Sequence, residues 1–117
     1  AHRVDDFIRR LWETTQAMSQ YRGKTTFIIT ADHGRGSDAS DWKSHGAKVV
    51  GAESDWIAVI GPDIAPFGER TDIETVTQSQ IASTMAAWLG EDYHAAFPQT
   101  GAPIKILVNG AGEKSAK

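Results

Sequence analysis

The 117-residue chain contains no cysteine. It therefore has neither a disulfide framework nor a thiolate metal site, and any metal must rest on histidine and carboxylate. It lacks an apolar run approaching the ~20 residues that span a bilayer, so a membrane span is not expected. It lacks a basic excess as well. Twelve Lys and Arg stand against 15 Asp and Glu, a net charge of −3, whereas a phosphate backbone selects basic faces, so no nucleic-acid polymer is expected as a partner. There is no internal repeat, no linker and no targeting segment. The opening Ala1-His2-Arg3 has no initiator methionine and runs almost at once into a helical pattern, which reads as a piece of something longer.

What is present is ordinary globular material. Apolar residues make up 40% of the chain and charged ones 23%, enough for one real core in one small domain or part of a larger one. Val4, Phe7, Ile8, Leu11, Trp12, Thr15 and Met18 recur at helical spacing and predict an amphipathic helix of roughly 18 residues, stopped at Gly23. Thr25-Thr-Phe-Ile-Ile-Thr30 is a β-branched run that predicts a central strand covered on both faces. Ser54-Asp-Trp-Ile-Ala-Val-Ile60 predicts a second strand, ended by Gly61-Pro62. Thr77 is a helix cap for a segment through Leu89, with Ile81, Thr84, Met85, Trp88 and Leu89 inward and Gly90 as the stop. Pro103-Ile-Lys-Ile-Leu-Val108 predicts a last strand, and residues 109–117 a disordered tail. The order of elements suggests a layered α/β sheet, whose ligands collect beyond the carboxyl ends of strands.

The sharpest feature is Asp32-His33-Gly34, at the point where the first strand runs out. A neutral imidazole beside a carboxylate is the donor set that a divalent cation takes when thiolates are absent. Gly34 and Gly36 allow close backbone approach. His45, in Ser-His-Gly, and His2, ahead of the first helix, are the further histidines that this reading brings to the same strand end. His94, in Glu-Asp-Tyr-His, is read as structural. Arg35 and Lys48 are candidate anion contacts, an arginine for a bidentate grip and a lysine for a point charge. Trp42 and Trp56 are read as packing the loop onto the sheet, with stacking on an aromatic leaving group as the alternative.

The sequence Thr-Thr-Phe-Ile-Ile-Thr-Ala-Asp-His-Gly-Arg-Gly is followed by Ser-His-Gly, then Asp-Trp-Ile-Ala-Val-Ile-Gly-Pro, then Thr-Gln-Ser-Gln-Ile-Ala-Ser-Thr-Met-Ala-Ala-Trp-Leu-Gly. This ordered set, over roughly residues 2–90, resembles the C-terminal part of the alkaline phosphatase superfamily. That group includes sulfatases, nucleotide pyrophosphatases/phosphodiesterases and cofactor-independent phosphoglycerate mutases. The resemblance implies a three-layer α/β/α sandwich with a mostly parallel sheet, residues 1–108 being its C-terminal segment. It implies that Asp32 and His33 ligate one metal and His45 a second. His2 matches the histidine of an Asp-x-x-x-His pair that also ligates the second metal in family members, and whose Asp would precede Ala1. Lys48, three residues beyond His45, loosely matches a lysine that contacts sulfate in sulfatases.

On that resemblance the expected activity is hydrolysis of a small-molecule phosphate or sulfate ester. Two divalent cations, zinc foremost with manganese and calcium as alternatives, clamp the attacking and leaving oxygens. The nucleophile would lie upstream, so the isolated chain is expected to be inactive. Expected localisation is periplasmic or extracellular, and unpaired sheet edges would favour oligomerisation of the fragment. The reading from another class is a non-catalytic α/β module that binds a metal or a partner.

Overall fold

In the computed structural model, residues 2–108 are described. The expected tail, 109–117, lies outside them. The chain forms two compact units, Ala1–Pro62 and Asp63–Lys117.

The first unit opens with α1, His2–Ala17, where the predicted amphipathic helix lies. Arg9 pins its outer face through Asp6 (2.6 Å) and Glu13 (2.7 Å), pairs at three- and four-residue spacing that stabilise a helix. At the far end Arg22 turns back, its Nε donating to Gln16 O at 2.8 Å, while Gln16 Oε1 accepts from Gly23 N at 3.1 Å, with Gly23 at φ 65°. The apolar stripe is only partly covered. Trp12 meets Phe27 with ring centroids 5.8 Å apart, while Val4 and Phe7 are 61% and 64% exposed.

Two strands follow, β1 at Phe27–Thr30 and β2 at Ile57–Ile60. They pair antiparallel, Phe27 opposite Ile60 and Thr30 opposite Ile57. This overturns the expected mostly parallel sheet and three-layer sandwich: among the described residues the sheet has two strands. The physical reason is the connection. A parallel pair needs a crossover, usually a helix, and residues 31–56 form turns with no helix among them. They return the chain beside the strand it left. Nor is β1 covered on both faces, since its first three residues are half-buried and Thr30 is exposed. The alternation along β2, half-buried at Ile57 and Val59 and exposed at Ala58 and Ile60, is that of a sheet with one wet face.

In the second unit a single 3₁₀ turn, Gln78–Gln80, leads into α2, Ile81–Trp88. The expected start and stop are both present. Gln80 Oε1 reaches back to accept from Thr77 N at 2.9 Å, and Gly90 takes φ 84° just beyond the helix. The expected inward face is present in part. Thr84 is fully buried, as is Ser83, which was not expected there, whereas Met85 and Leu89 are 47% and 82% exposed.

After the short α3, Tyr93–Ala96, the chain returns to that face at Thr100, whose Oγ1 lies 3.3 Å from Ser83 Oγ, and at Ile104, just ahead of α4, Lys105–Val108. The segment expected as a last strand is thus helical. A strand needs a ladder partner, and none exists among the described residues of this unit. Ile104 N instead donates to Thr84 Oγ1 (2.9 Å), and Trp88 Nε1 donates to Leu107 O (3.0 Å). Thr84→Val is the matching stability test. It keeps the shape, removes the hydroxyl that accepts from Ile104 N and donates to Gln80 O, and leaves a buried N–H without its partner. Urea unfolding is expected to show a loss of about 1–3 kcal/mol.

Candidate functional site

Every sequence-predicted site residue lies in the first unit, and most lie in the loop joining β1 to β2. Thr30 closes the base of that loop, its hydroxyl 2.8 Å from Trp56 O and 3.0 Å from Asp55 Oδ2. Two backbone bonds then fold the loop on itself: Gly34 N donates to Ala52 O and Gly36 N to Ser44 O, each at 2.9 Å. Glycine is required at both places by contact rather than by φ. A Cβ on Gly34 would overlap the carbonyl oxygens of Gly51 and Ser54, and one on Gly36 would overlap Asp41.

Just past β1, Asp32 Oδ1 accepts from His33 N (3.0 Å) and Asp32 Oδ2 lies 3.4 Å from His33 Nε2. His33 Nδ1 lies 2.7 Å from Gly34 O. A carbonyl can only accept, so Nδ1 carries the proton and a neutral His33 offers its lone pair at Nε2. That is the pattern of metal-ligating histidines, whose second ring nitrogen donates to a carbonyl or carboxylate. The Nε2 to Oδ2 spacing suits the same purpose: two donors each about 2.1 Å from a tetrahedral zinc stand roughly 3.4 Å apart.

The loop also brings His45 to His33. Their rings are stacked, centroids 4.4 Å apart and planes 9° from parallel. Parallel rings aim their nitrogens along parallel planes, so the two imidazoles are neighbours without converging on one point. His2 sits exposed at the first residue of α1. Among the described residues no three His, Cys, Asp or Glu side chains form a group that could hold a metal. Asp32 and His33 thus present two facing donors, with His45 alongside.

Arg35 and Lys48 are both exposed, and Arg35 lies against Trp42, its Cζ 5.8 Å from the ring centroid. Lys48 follows in the turn at 46–49, where Val49 N donates to Gly46 O. Trp42 and Trp56 are 49% and 54% exposed, which leaves much of each indole uncovered by the sheet. His94 is half-buried in α3, with Nδ1 buried and without a partner. The residue that sequence reasoning passed over is Lys43, whose Nζ lies 5.1 Å from the Trp42 ring. Its one signal was adjacency to a tryptophan in an otherwise polar segment.

The turn carrying Trp42 is organised by Asp38. Its Oδ1 accepts from Ser40 Oγ (2.5 Å), Ser40 N (2.7 Å) and Asp41 N (3.1 Å). These bonds, the Ser40 hydroxyl foremost, hold the Asp38 carboxyl below its ordinary 3.8. Because the folded chain binds this proton less readily, the turn's contribution is present above pH 3.8 and is lost as pH falls through the depressed value. A carboxyl NMR titration is expected to place the Asp38 midpoint below 3.8, and Ser40→Ala to move it back upward.

Among the described residues no helix is long and apolar enough to cross a membrane. Compared with protein-family models, curated proteins and solved structures, the chain matches none of them.

Proposed function

We propose that this chain carries the metal-binding segment of a hydrolase that acts on small-molecule phosphate or sulfate esters, akin to the alkaline phosphatase superfamily. The observation that supports the reading is the Asp32–His33 pair. Its facing donors are 3.4 Å apart, and the far nitrogen of the imidazole is fixed by a backbone carbonyl. Asp32 and His33 would hold a first divalent ion, zinc foremost, and His45 would contribute to a second. When bound, such an ion supplies Lewis acidity at the ester oxygen. The chain's own residues hold His33 in one tautomer, keep His45 beside it and place Arg35 two residues beyond the pair. The nucleophile would come from outside these residues.

The test is titration of the purified chain with zinc and with manganese by calorimetry, alongside Asp32→Ala and His33→Ala. Binding that either change weakens supports the reading, and binding that both leave intact removes it. A second reading, a non-catalytic module, has its own observation in the lack of a three-donor group among the described residues. It expects weak divalent binding that is indifferent to both substitutions.

A further inference from the structure

Trp42 stands half out in water, and what lies on its ring is positive charge. Arg35 Cζ is 5.8 Å and Lys43 Nζ 5.1 Å from the centroid. The negative face of an indole attracts both kinds of cation. Lys43 is there by adjacency in sequence. Arg35 arrives from across the loop, because the bond from Gly36 N to Ser44 O sets residues 34–36 beside residues 42–45. The same crossing stacks His33 on His45. The indole and its two cations thus belong to the same fold of chain as the imidazole pair.

The carboxylates of the same turn, Asp38 and Asp41, keep their charge but hydrogen-bond within the turn rather than to either cation. Asp38 Oδ1 is taken up by Ser40 and Asp41 N, and Asp41 Oδ1 accepts from Asp38 N at 3.1 Å. Among the described residues the ion pairs join other side chains and leave out Arg35 and Lys43. A planar guanidinium offers a two-pronged grip, an ammonium adds a point charge, and tetrahedral oxyanions accept both.

We infer that Arg35 and Lys43, gathered on the Trp42 ring, form an oxyanion-binding site for a phosphate or sulfate group that works without metal. Trp42 is its positioning residue. In the hydrolase this site holds the non-bridging oxygens of the ester, a role that rests on the proposed function. Its capacity to bind an anion does not.

The experiment separates the two claims. The whole chain, in EDTA at low ionic strength, is titrated with sodium sulfate and with sodium phosphate, followed by calorimetry and tryptophan fluorescence. The wild-type chain is expected to bind at least one anion. The double variant Arg35→Ala/Lys43→Ala is expected to weaken binding by about tenfold or more, since both charges that meet the oxyanion are removed. Trp42→Ala is expected to do so more mildly. Trp42→Phe is expected to restore affinity to within about threefold of wild type, a phenyl face still attracting cations, while abolishing the fluorescence change. Anion binding that is undetectable in the wild type, or unchanged in the double variant, overturns the site. Zinc binding is measured on the same variants and is expected to stay within about threefold of wild type, because neither cation is a metal donor. If zinc fails to bind the wild type while anions still do, the hydrolase reading falls and the anion site stands.

Discussion

Gly34→Ala is expected to lower the stability of the chain by about 1–3 kcal/mol, the usual range for a group forced into an occupied space. The reason is specific to this glycine. Its backbone is free of the left-handed conformations that bar other residues, so alanine is acceptable locally and the damage comes from the far side of the loop. The new Cβ would overlap Gly51 O and Ser54 O, with Ser54 C also at 3.0 Å. These are backbone atoms, which cannot swing aside as a side chain would. The turn at 51–54 must retreat, and the bond from Gly34 N to Ala52 O goes with it. Gly34 O is also the acceptor that holds His33 Nδ1, so the imidazole loses its fixed orientation. Zinc affinity is expected to fall by about tenfold, the lower range seen when a support behind a metal ligand is removed. Gly46→Ala is the control. A Cβ there meets nothing within 4 Å and the backbone is not left-handed, so the expected change is within about 0.5 kcal/mol. Urea unfolding and zinc calorimetry on the two variants read both effects. Equal behaviour of the two would mean that residues 34 and 51–54 are not in contact in solution.

The pattern of what the sequence disclosed follows the range of the interactions. The helix over His2–Ala17 was legible because its stripe and its ion pairs are encoded within a few residues, although it ends at Ala17, ahead of the expected stop at Gly23. The same holds for the Thr77–Gly90 segment, where Gln80 reaches back to Thr77 and Gly90 ends the helix. The Asp32–His33 pair was equally local, sitting where a β-branched run ends. The direction of the sheet was not legible. Phe27 pairs with Ile60 across 33 positions, and the apolar runs of β1 and β2 carry no mark of parallel or antiparallel partnership. The family resemblance supplied a parallel sheet that the residues themselves did not demand.

Pro103–Val108 shows a different failure. A short run rich in isoleucine, leucine and valine suits strand or buried helix alike. What decided the matter was a hydroxyl about 20 residues away, Thr84 Oγ1 accepting from Ile104 N, with Trp88 donating to Leu107 O. The inward face of α2 was right at Thr84 and missed Ser83, which is buried with its hydroxyl 3.3 Å from Thr100 Oγ1. The candidate site was half legible. That His45 comes beside His33 was expected from Ser-His-Gly, but their stacking was not, and the gathering of Arg35 and Lys43 on Trp42 depends on the Asp38 turn and the Gly36–Ser44 bond.

Asp32→Ala and His33→Ala are each expected to weaken zinc binding by well over tenfold, and the double variant by little more than the worse single. The expectation follows from chelation. Asp32 Oδ2 and His33 Nε2 face one another at 3.4 Å, a spacing at which a lone pair and a carboxylate repel unless a proton or a cation lies between them. A cation there binds both donors at once, and removing either leaves a single contact that holds a divalent ion poorly. The loss is therefore shared by the pair, and side chains that act through one ion show strong non-additivity in a double-mutant cycle. His45→Ala tests the second position. Its ring is parallel to that of His33 rather than aimed with it, so the first equivalent of zinc is expected to bind within about threefold of wild type, and weaker sites to be lost. Loss of the first equivalent in His45→Ala would instead mean that the two imidazoles turn toward a common ion. Were the two single variants of Asp32 and His33 to bind zinc as the wild type does, the facing donors would be a protonated ion pair and nothing more. The hydrolase reading would then lose the observation on which it stands.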